Sequence, residues 1–471
     1  MLSHTAILDI GTGATAIYPT LGCALDRGFT FTATDIDATS LANAARILQD
    51  ERNNGHCGEE GQARRLAVQR DWPLDLASRI ALQQRTAEQT LIPVSDEVDT
   101  PSPALALGSG HSMPFRWHAT MCNPPFYSSS TEMEQSLRTK KLPPSGACSG
   151  ALGEMVTAGG EVAFVSRMID ESLTLQKTQR DGAAEGALWY TSMLGKASSI
   201  APLVKKLRGM DVNNYGLTTL VQGQTRRWVI LWSFHPYRLP DRLVGSGGGI
   251  LQARRVLGDL PPSNTMSWCV GASARGRPTS TAHATTDLEG VTQTVRSFID
   301  SLPACTVRHW DEEAHSAVSI MKPAARSSCS LFVQFTYPSW TRAARRAAAA
   351  LRVGRGDAAP SARPSSKAGE AVQPVLCAIV GVKDLLPENA TATAKVSIRW
   401  TYGRERQLFQ SFASSVFRKL TPEPRRLQGK STTWRSGRRA PRPTDHPPAS
   451  TVLSSTAESR PRTHHVETKQ Q

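Results

Sequence analysis

Apolar and polar positions follow two alternating periods along the first half of the chain. Ala6-Ile7-Leu8-Asp9-Ile10 is a short apolar run that stops at Gly11-Thr12-Gly13. Phe29 to Thr34 alternates and is rich in aromatic and β-branched residues, stopping at Asp35-Ile36-Asp37. Both patterns predict strands. Leu41 to Leu48 has the spacing of a helix, Arg79 to Arg85 reads as a third strand and His118 to Cys122 as a fourth. Asn123-Pro124-Pro125-Phe126 ends that fourth strand, because proline has no amide hydrogen for a ladder. Val162, Val165, Met168, Ile169 and Leu173 recur at helical spacing, Trp189 to Leu194 predicts a fifth strand, and Ala201 to Met210 another helix. Tyr215 to Val221 and Arg227 to Phe234 flank the turn-like Gln222-Gly223-Gln224-Thr225, the pattern of an antiparallel hairpin. Strands alternating with helices and closed by a hairpin predict a doubly wound α/β domain over 1–236. Polar, charged stretches at 51–71 and 87–112 read as surface insertions.

Composition changes at 237–264, which holds Gly-Ser-Gly-Gly-Gly and Pro261-Pro262 and reads as a linker. From 265 to 420 the pattern is strand, helix, three strands, helix, two strands, helix, a small α+β accessory domain and a possible RNA-binding module. Its clearest pieces are Ser330 to Phe335, Trp340 to Leu351, Val375 to Val382, Ala394 to Trp400 and Gln407 to Leu420. A Pro/Ser/Gly-rich stretch at 354–370 reads as a disordered insertion. Residues 421–471 carry ten Lys or Arg against four acidic residues, with few apolar groups to offset the entropy of ordering. A disordered basic tail is expected there.

The 471 residues fit two or three domains, and 55 Lys and Arg against 40 Asp and Glu leave a net charge of +15, which favours polyanionic partners. The eight cysteines are dispersed, with no C-x-x-C pair, so free thiols and no metal site are expected. No secretory leader is recognised at the amino terminus, and no apolar run approaches the ~20 residues that span a bilayer, so a soluble protein is expected.

Three features bear on chemistry. Gly11 and Gly13 sit in a strand-to-helix turn where missing side chains let a ligand approach the backbone and the helix end favours negative groups. Asp35 ends the next strand, 24 residues after Gly11, where a carboxylate can accept both hydroxyls of a ribose. These two alone fit a dinucleotide site equally well. The third feature separates the readings. Asn123-Pro124-Pro125-Phe126 suits an amino group conjugated to a ring. Its delocalised lone pair makes a poor nucleophile that must be oriented. The Asn123 side-chain carbonyl and the Pro124 backbone carbonyl can accept its two N–H bonds, and the prolines stiffen that pair. Phe126 offers a face for a flat base.

The stretches ILDIGTGATAIYPTLG, TATDID, MCNPPF, GGEVAFVSRMIDES, WYTSMLGKASSIAPL and QGQTRRWVILWSF together resemble the methyltransferase-like protein 16 family. These are S-adenosylmethionine-dependent RNA adenine-N6 methyltransferases related to the bacterial 23S ribosomal RNA enzyme RlmF. The resemblance covers nearly all of 6–236 and implies a class I methyltransferase fold, S-adenosyl-L-methionine as cofactor, U6 small nuclear RNA as partner and a nuclear location. It places Gly11 and Thr15 at the cofactor's methionine part with Gly13 shaping the cofactor contacts through its backbone, Asp35 at its ribose, Thr86 toward its adenine, and Asn123 at both cofactor and target adenine. Pro124, Pro125 and Phe126 complete the catalytic motif, with Arg227 and Lys196 toward the RNA.

The chain departs from that pattern in three places, one of them a loop after the second strand that is longer than usual. Family members carry about a hundred residues ahead of the first strand, so a shortened, fungal-type member is expected. Gln224 stands where Arg is usual. Basic clusters at Lys205 to Arg208, Arg226-Arg227 and Arg342 to Arg346 fit phosphate contacts or simply solvated faces. Two other readings remain open: N5 methylation of a protein glutamine, and a catalytically impaired RNA-binding protein on the same scaffold.

Overall fold

The computed structural model of the chain describes residues 4–50, 75–94, 116–139, 155–178, 186–223, 225–244, 258–270, 288–310, 329–344, 346, 373–384 and 394–420. The expectations at 51–71, 354–370 and 421–471, Gln224, and residues 95–112 of the insertion expected at 87–112 lie outside them. Within 87–94 that expectation is corrected, because Ile92 is fully buried in the core of the first sheet.

The first half builds β1 (Thr5–Ile10), α1 (Ile17–Leu25), β2 (Phe29–Asp35), α2 (Ala38–Gln49), α3 (Leu76–Arg79), β3 (Ile80–Gln84) and β4 (Trp117–Cys122). It continues with α4 (Ser130–Thr139), α5 (Gly160–Thr178), β5 (Ala187–Leu194), α6 (Ile200–Gly209), β6 (Tyr215–Gln222) and β7 (Thr225–Trp232). The sheet runs in the order β3-β2-β1-β4-β5-β7-β6. Its first five strands are parallel, and β7 pairs antiparallel with both β5 and β6. This is the class I methyltransferase arrangement expected from the sequence. Boundaries move by a few residues: α2 begins at Ala38 because the Asp37 carboxylate accepts the Thr39 and Ser40 amides.

Side-chain alternation in β1 sends Ala6, Leu8 and Ile10 toward Val165, Met168 and Ile169 of α5 and Leu203, Val204 and Leu207 of α6. Ile7 points the other way, to Cys23 of α1 and Ala44 and Leu48 of α2. Burial on both faces is why β1 reads as an almost unbroken apolar run. Each buried Val, Leu, Ile or Met side chain among these contributes about 1.5–3 kcal/mol relative to exposure. The exception is Asp9, which shares the run and is 1% exposed.

The chain moves outward from β1 in both directions, to β2 and β3 on one side and to β4 and β5 on the other. The switch point, where ligands bind in such sheets, therefore lies between β1 and β4. Ile10 pairs with Cys122 in register, so Gly11 and Asn123 leave the sheet side by side.

The second half builds α7 (Asp241–Val244), β8 (Thr265–Val270), α8 (Leu288–Asp300), β9 (Cys305–His309), β10 (Cys329–Phe335), β11 (Leu376–Asp384), β12 (Ala394–Tyr402) and α9 (Arg406–Leu420). An antiparallel sheet in the order β8-β12-β11-β10-β9 packs α8 and α9 over a core that includes Val295, Phe298, Val333, Phe335, Val380, Ile398, Phe409 and Phe412. Of three strands expected after α8, β9 and β10 are described, and 311–328 lies outside the described residues. Of the helix expected over 340–351, residues 342–344 and 346 are helical, and 345 and 347–351 lie outside the described residues.

The stretch 237–264, expected as a linker, is ordered where it is described. Arg238 N–H donates to Thr401 O (2.9 Å), Gly403 N–H to Pro236 O (2.9 Å) and Trp400 N–H to Asn264 O (2.8 Å). Gly and Pro signal a weak local preference, and here tertiary hydrogen bonds supply the order that local sequence does not. Both sheets fall within one compact unit. No helix among the described residues is long and apolar enough to cross a membrane.

Candidate active site

The loop after β1 is held from beneath. Gly11 and Thr12 amides both donate to Thr34 O at 2.9 Å, and Asn43 Nδ2 of α2 donates to Ala14 O at 2.8 Å. Gly11 and Gly13 have φ of +74° and +65°, left-handed values that other residues adopt only at a steric cost. A Cβ at Gly11 would meet nothing within 4 Å, so the loop's backbone is open to a ligand. Thr15 is exposed at the same edge.

Asp35, expected to present its carboxylate outward to a ribose, is 8% exposed and turns partly into its own loop: Oδ2 accepts the Gly13 amide (2.8 Å) and Oδ1 the Asp37 amide (3.0 Å). Each oxygen keeps one lone pair for a hydroxyl. Thr86, two residues beyond β3, is exposed on the same edge, its amide donating to Gln89 Oε1 (2.9 Å). The Arg85 amide donates to Asp35 O (2.8 Å), which fixes the two strand ends together.

Asp9 belongs to the site although no sequence motif marks it. Neither of its carboxylate oxygens has a hydrogen-bond partner. Burial raises its pKa to about 7, with Thr12 pulling it down and the charge of Asp35 pushing it further up. Tyr18 of α1 and Cys122 of β4 share its surroundings, and the phenol's pKa is raised by burial first and by Asp9 second. A lone acidic residue in an otherwise apolar strand, two positions before a glycine turn, was the available signal.

On the other side of the switch point, Asn123 is exposed, Pro124 buried, and Pro125 and Phe126 half-buried. A short parallel bridge clamps the chain just past Phe126: the Tyr127 amide donates to Met155 O (3.1 Å) and the Thr157 amide to Tyr127 O (2.9 Å). The Arg227 guanidinium lies 5.4 Å from the centre of the Phe126 ring, a cation–π contact from the β6–β7 hairpin. Gly195, just after β5, flanks the same ring so closely that a Cβ there would come 2.8 Å from Phe126 Cδ1.

The turn carrying Gly195 is held by Glu161, a second residue missed from sequence. Its carboxylate, 2% exposed at the start of α5, accepts the Gly195 amide (2.6 Å), the Lys196 amide (3.0 Å) and the Ser199 hydroxyl (2.5 Å). Lys196, expected to face RNA, has its ammonium tied instead to Glu132 of α4 and lies 5.5 Å over the Tyr127 ring. That bond, together with the Ser128 amide and hydroxyl, draws the Glu132 carboxyl down to about 2. Two of the three cations in Lys205 to Arg208 are also engaged within the protein, Lys206 with Asp170 (2.7 Å) and Arg208 with the Tyr215 hydroxyl (2.7 Å). Arg226, Arg227 and Lys205 have no such ion pair among the described residues.

Residues 2–65 and 105–236 match a family described as RNA methyltransferase. The U6 small nuclear RNA (adenine-(43)-N(6))-methyltransferase of Schizosaccharomyces pombe is 34% identical over 238 residues, 50% of this chain and 48% of that one. The ribosomal RNA large subunit methyltransferase F of Pseudomonas entomophila is 30% identical over 239 residues, 48% of this chain and 60% of that one. A crystal structure of the hMettl16 catalytic domain in complex with MAT2A 3'UTR hairpin 1 aligns at 29% identity and a TM-score of 0.35, over 49% of this chain and 64% of that one. The chain thus spans about half to three-fifths of the length of these curated relatives. Its first 236 residues carry the likeness to the RNA methyltransferase family that their motifs suggest.

Proposed function

We propose that the chain is an S-adenosylmethionine-dependent RNA methyltransferase that forms N6-methyladenosine, with U6 small nuclear RNA as its substrate and the nucleus as its place of action. The observation that carries this reading is the meeting, at one switch point, of an open glycine loop over an unpartnered buried carboxylate with an Asn-Pro-Pro-Phe turn in register beside it. In this reading 1–236 is the catalytic domain and 265–420 an accessory domain.

The residues fit the cofactor. Gly11 leaves room over the loop for its methionine part, with Gly13 and the exposed Thr15 beside it, the unpartnered Asp9 carboxylate suits an ammonium group, and Asp35 keeps acceptors for ribose hydroxyls. Thr86, exposed at the end of the neighbouring strand, would lie toward the adenine. Bound there, the sulfonium supplies an electrophilic methyl group. Asn123 Oδ1 and Pro124 O accept the two N–H bonds of the target amino group and orient its lone pair, and the prolines hold the two acceptors in place before the substrate arrives. Phe126 presents a ring for the base, steadied by Arg227 and Gly195.

Asn123→Ala removes one acceptor from an exposed position with no core role. Incorporation of labelled methyl into a U6-type RNA should fall by about a hundredfold or more, while calorimetric titration shows cofactor affinity changed by less than a few-fold. Unchanged turnover removes Asn123 from the mechanism. A wild-type chain that binds RNA but no cofactor supports an RNA-binding protein without catalysis.

A further inference from the structure

The edge of the first sheet opposite the switch point carries a second concentration of chemistry. Because β7 runs antiparallel to β5, its carboxyl end delivers Ser233, Phe234 and His235 to the far edge. Asn213 and Asn214, just before β6, arrive there too, and the turn after β12 brings Arg404. Together with Arg238 these residues line a cavity of about 210 Å³.

The cavity's charge is uncompensated. Arg238 is 9% exposed, stacked 4.0 Å from the centre of the Trp400 ring. Nε donates to Gly403 O (3.1 Å), and Nη2 to Asn213 Oδ1 (3.1 Å) and Arg404 O (3.2 Å). All three acceptors are neutral, and Nη1 has no partner among the described residues. Arg404 is exposed and gives one hydrogen bond, from Nη1 to Phe234 O (3.2 Å). No carboxylate pairs with either guanidinium among the described residues. Burial, then the charges of Arg406 and Arg404, lower the Arg238 pKa to about 10; burial, then Arg404, hold His235 down at about 4. Among the described residues, Asp211 is the one carboxylate on the wall. It is exposed and is not among the charges that act on Arg238 or His235.

A buried cation with neutral partners beside a second, half-committed cation is a site waiting for an anion. We propose that the cavity lined by Arg238, Arg404, Asn213 and His235 binds a phosphate group. Two sources share that chemistry: a phosphodiester of RNA and a small phosphorylated molecule. The RNA arm rests on the function proposed above. Strands of up to eight residues separate this edge from the switch point by roughly 25 Å, so one structured RNA can reach both.

The test uses the full chain with inorganic phosphate as probe, at constant ionic strength set with chloride. Phosphate should raise the melting temperature of the wild type, and its affinity should fall about tenfold or more in Arg404→Gln, the loss expected for one charge-assisted hydrogen bond. Arg404→Lys, which keeps the charge, should retain most of the response. An equal phosphate response in wild type and Arg404→Gln, or none in the wild type, overturns the site. For the RNA arm, the slope of log affinity against log salt for a U6-type RNA should become shallower by about one in Arg404→Gln. Phosphate binding lost with the RNA slope unchanged assigns the site to a small phosphorylated ligand. Absence of methyl transfer by the wild type defeats the proposed function but leaves the phosphate result standing.

Discussion

Asp9 joins a cost to a use. Its carboxylate is buried in the apolar run of β1 with both oxygens unpartnered, and its pKa is raised from 3.8 to about 7. The folded protein therefore holds this proton more tightly than the unfolded chain between those two values. Stability contributed by the neutral acid is intact below about pH 4, falls as pH rises, and is fully lost above about 7. A shift of that size corresponds to at most ~4 kcal/mol. Asp9→Asn should remove the dependence. Urea unfolding should show the variant several kcal/mol more stable than wild type at pH 8 and close to it at pH 4, and parallel curves at both pH values would contradict the burial argument. The same change should weaken S-adenosylmethionine binding by about tenfold or more, because it removes the carboxylate available to the ligand's ammonium. Calorimetry at pH 8 reads this directly. A residue that destabilises the empty protein and favours a cationic ligand is the kind of local inconsistency expected at a functional position.

Among the elements, the turn between β5 and α6 sets the shape of the pocket more than its length suggests. Glu161 holds its two amides and Ser199, and Gly195 within it touches Phe126. Gly195→Ala puts a methyl 2.8 Å from Phe126 Cδ1, so the ring must move. Methyl transfer should drop about tenfold or more with cofactor affinity unchanged, against a stability loss of ~1–3 kcal/mol from overpacking; a stability loss with full activity would show that the ring's position does not matter. Glu161→Ala leaves three donors without their acceptor and should cost about 3 kcal/mol, measured by denaturant unfolding. The strands of the first sheet were legible from alternation and turn residues, and the Gly11, Asp35 and Asn123 loops from where those strands stop. The partners of Glu161 and Lys196 were not. Glu161 meets Gly195 across 34 residues of sequence and Lys196 meets Glu132 across 64, and no local period records such a pairing. The family resemblance pointed Lys196 toward RNA, whereas its neighbour in space is an acid.

For the molecule as a whole, the chain looked divisible at 237–264 because Gly-Ser-Gly-Gly-Gly and a proline pair carry no local preference for a fold. The described parts of that stretch instead bind the two sheets. Arg238 reaches Gly403, Arg404 and Asn213 while stacking on Trp400, Tyr237 meets Tyr402 edge to face at 5.2 Å, and Asn264 accepts the Trp400 amide. The two cores are separate, one between the first sheet and α5–α6 and the other beneath α8–α9, so any shared cooperativity must pass through this seam. Arg238→Ala removes a 9%-exposed guanidinium that donates to three acceptors and stacks on Trp400, at a cost of about 2–4 kcal/mol. That cost falls on the seam and spares both cores. Scanning calorimetry should show one transition for the wild type and two for Arg238→Ala, with far-ultraviolet dichroism retained before the first. A variant that melts in one transition at an unchanged temperature would mean that Arg238 does not couple the sheets. One that melts in a single transition several degrees lower would place the seam within a shared folding unit rather than between two.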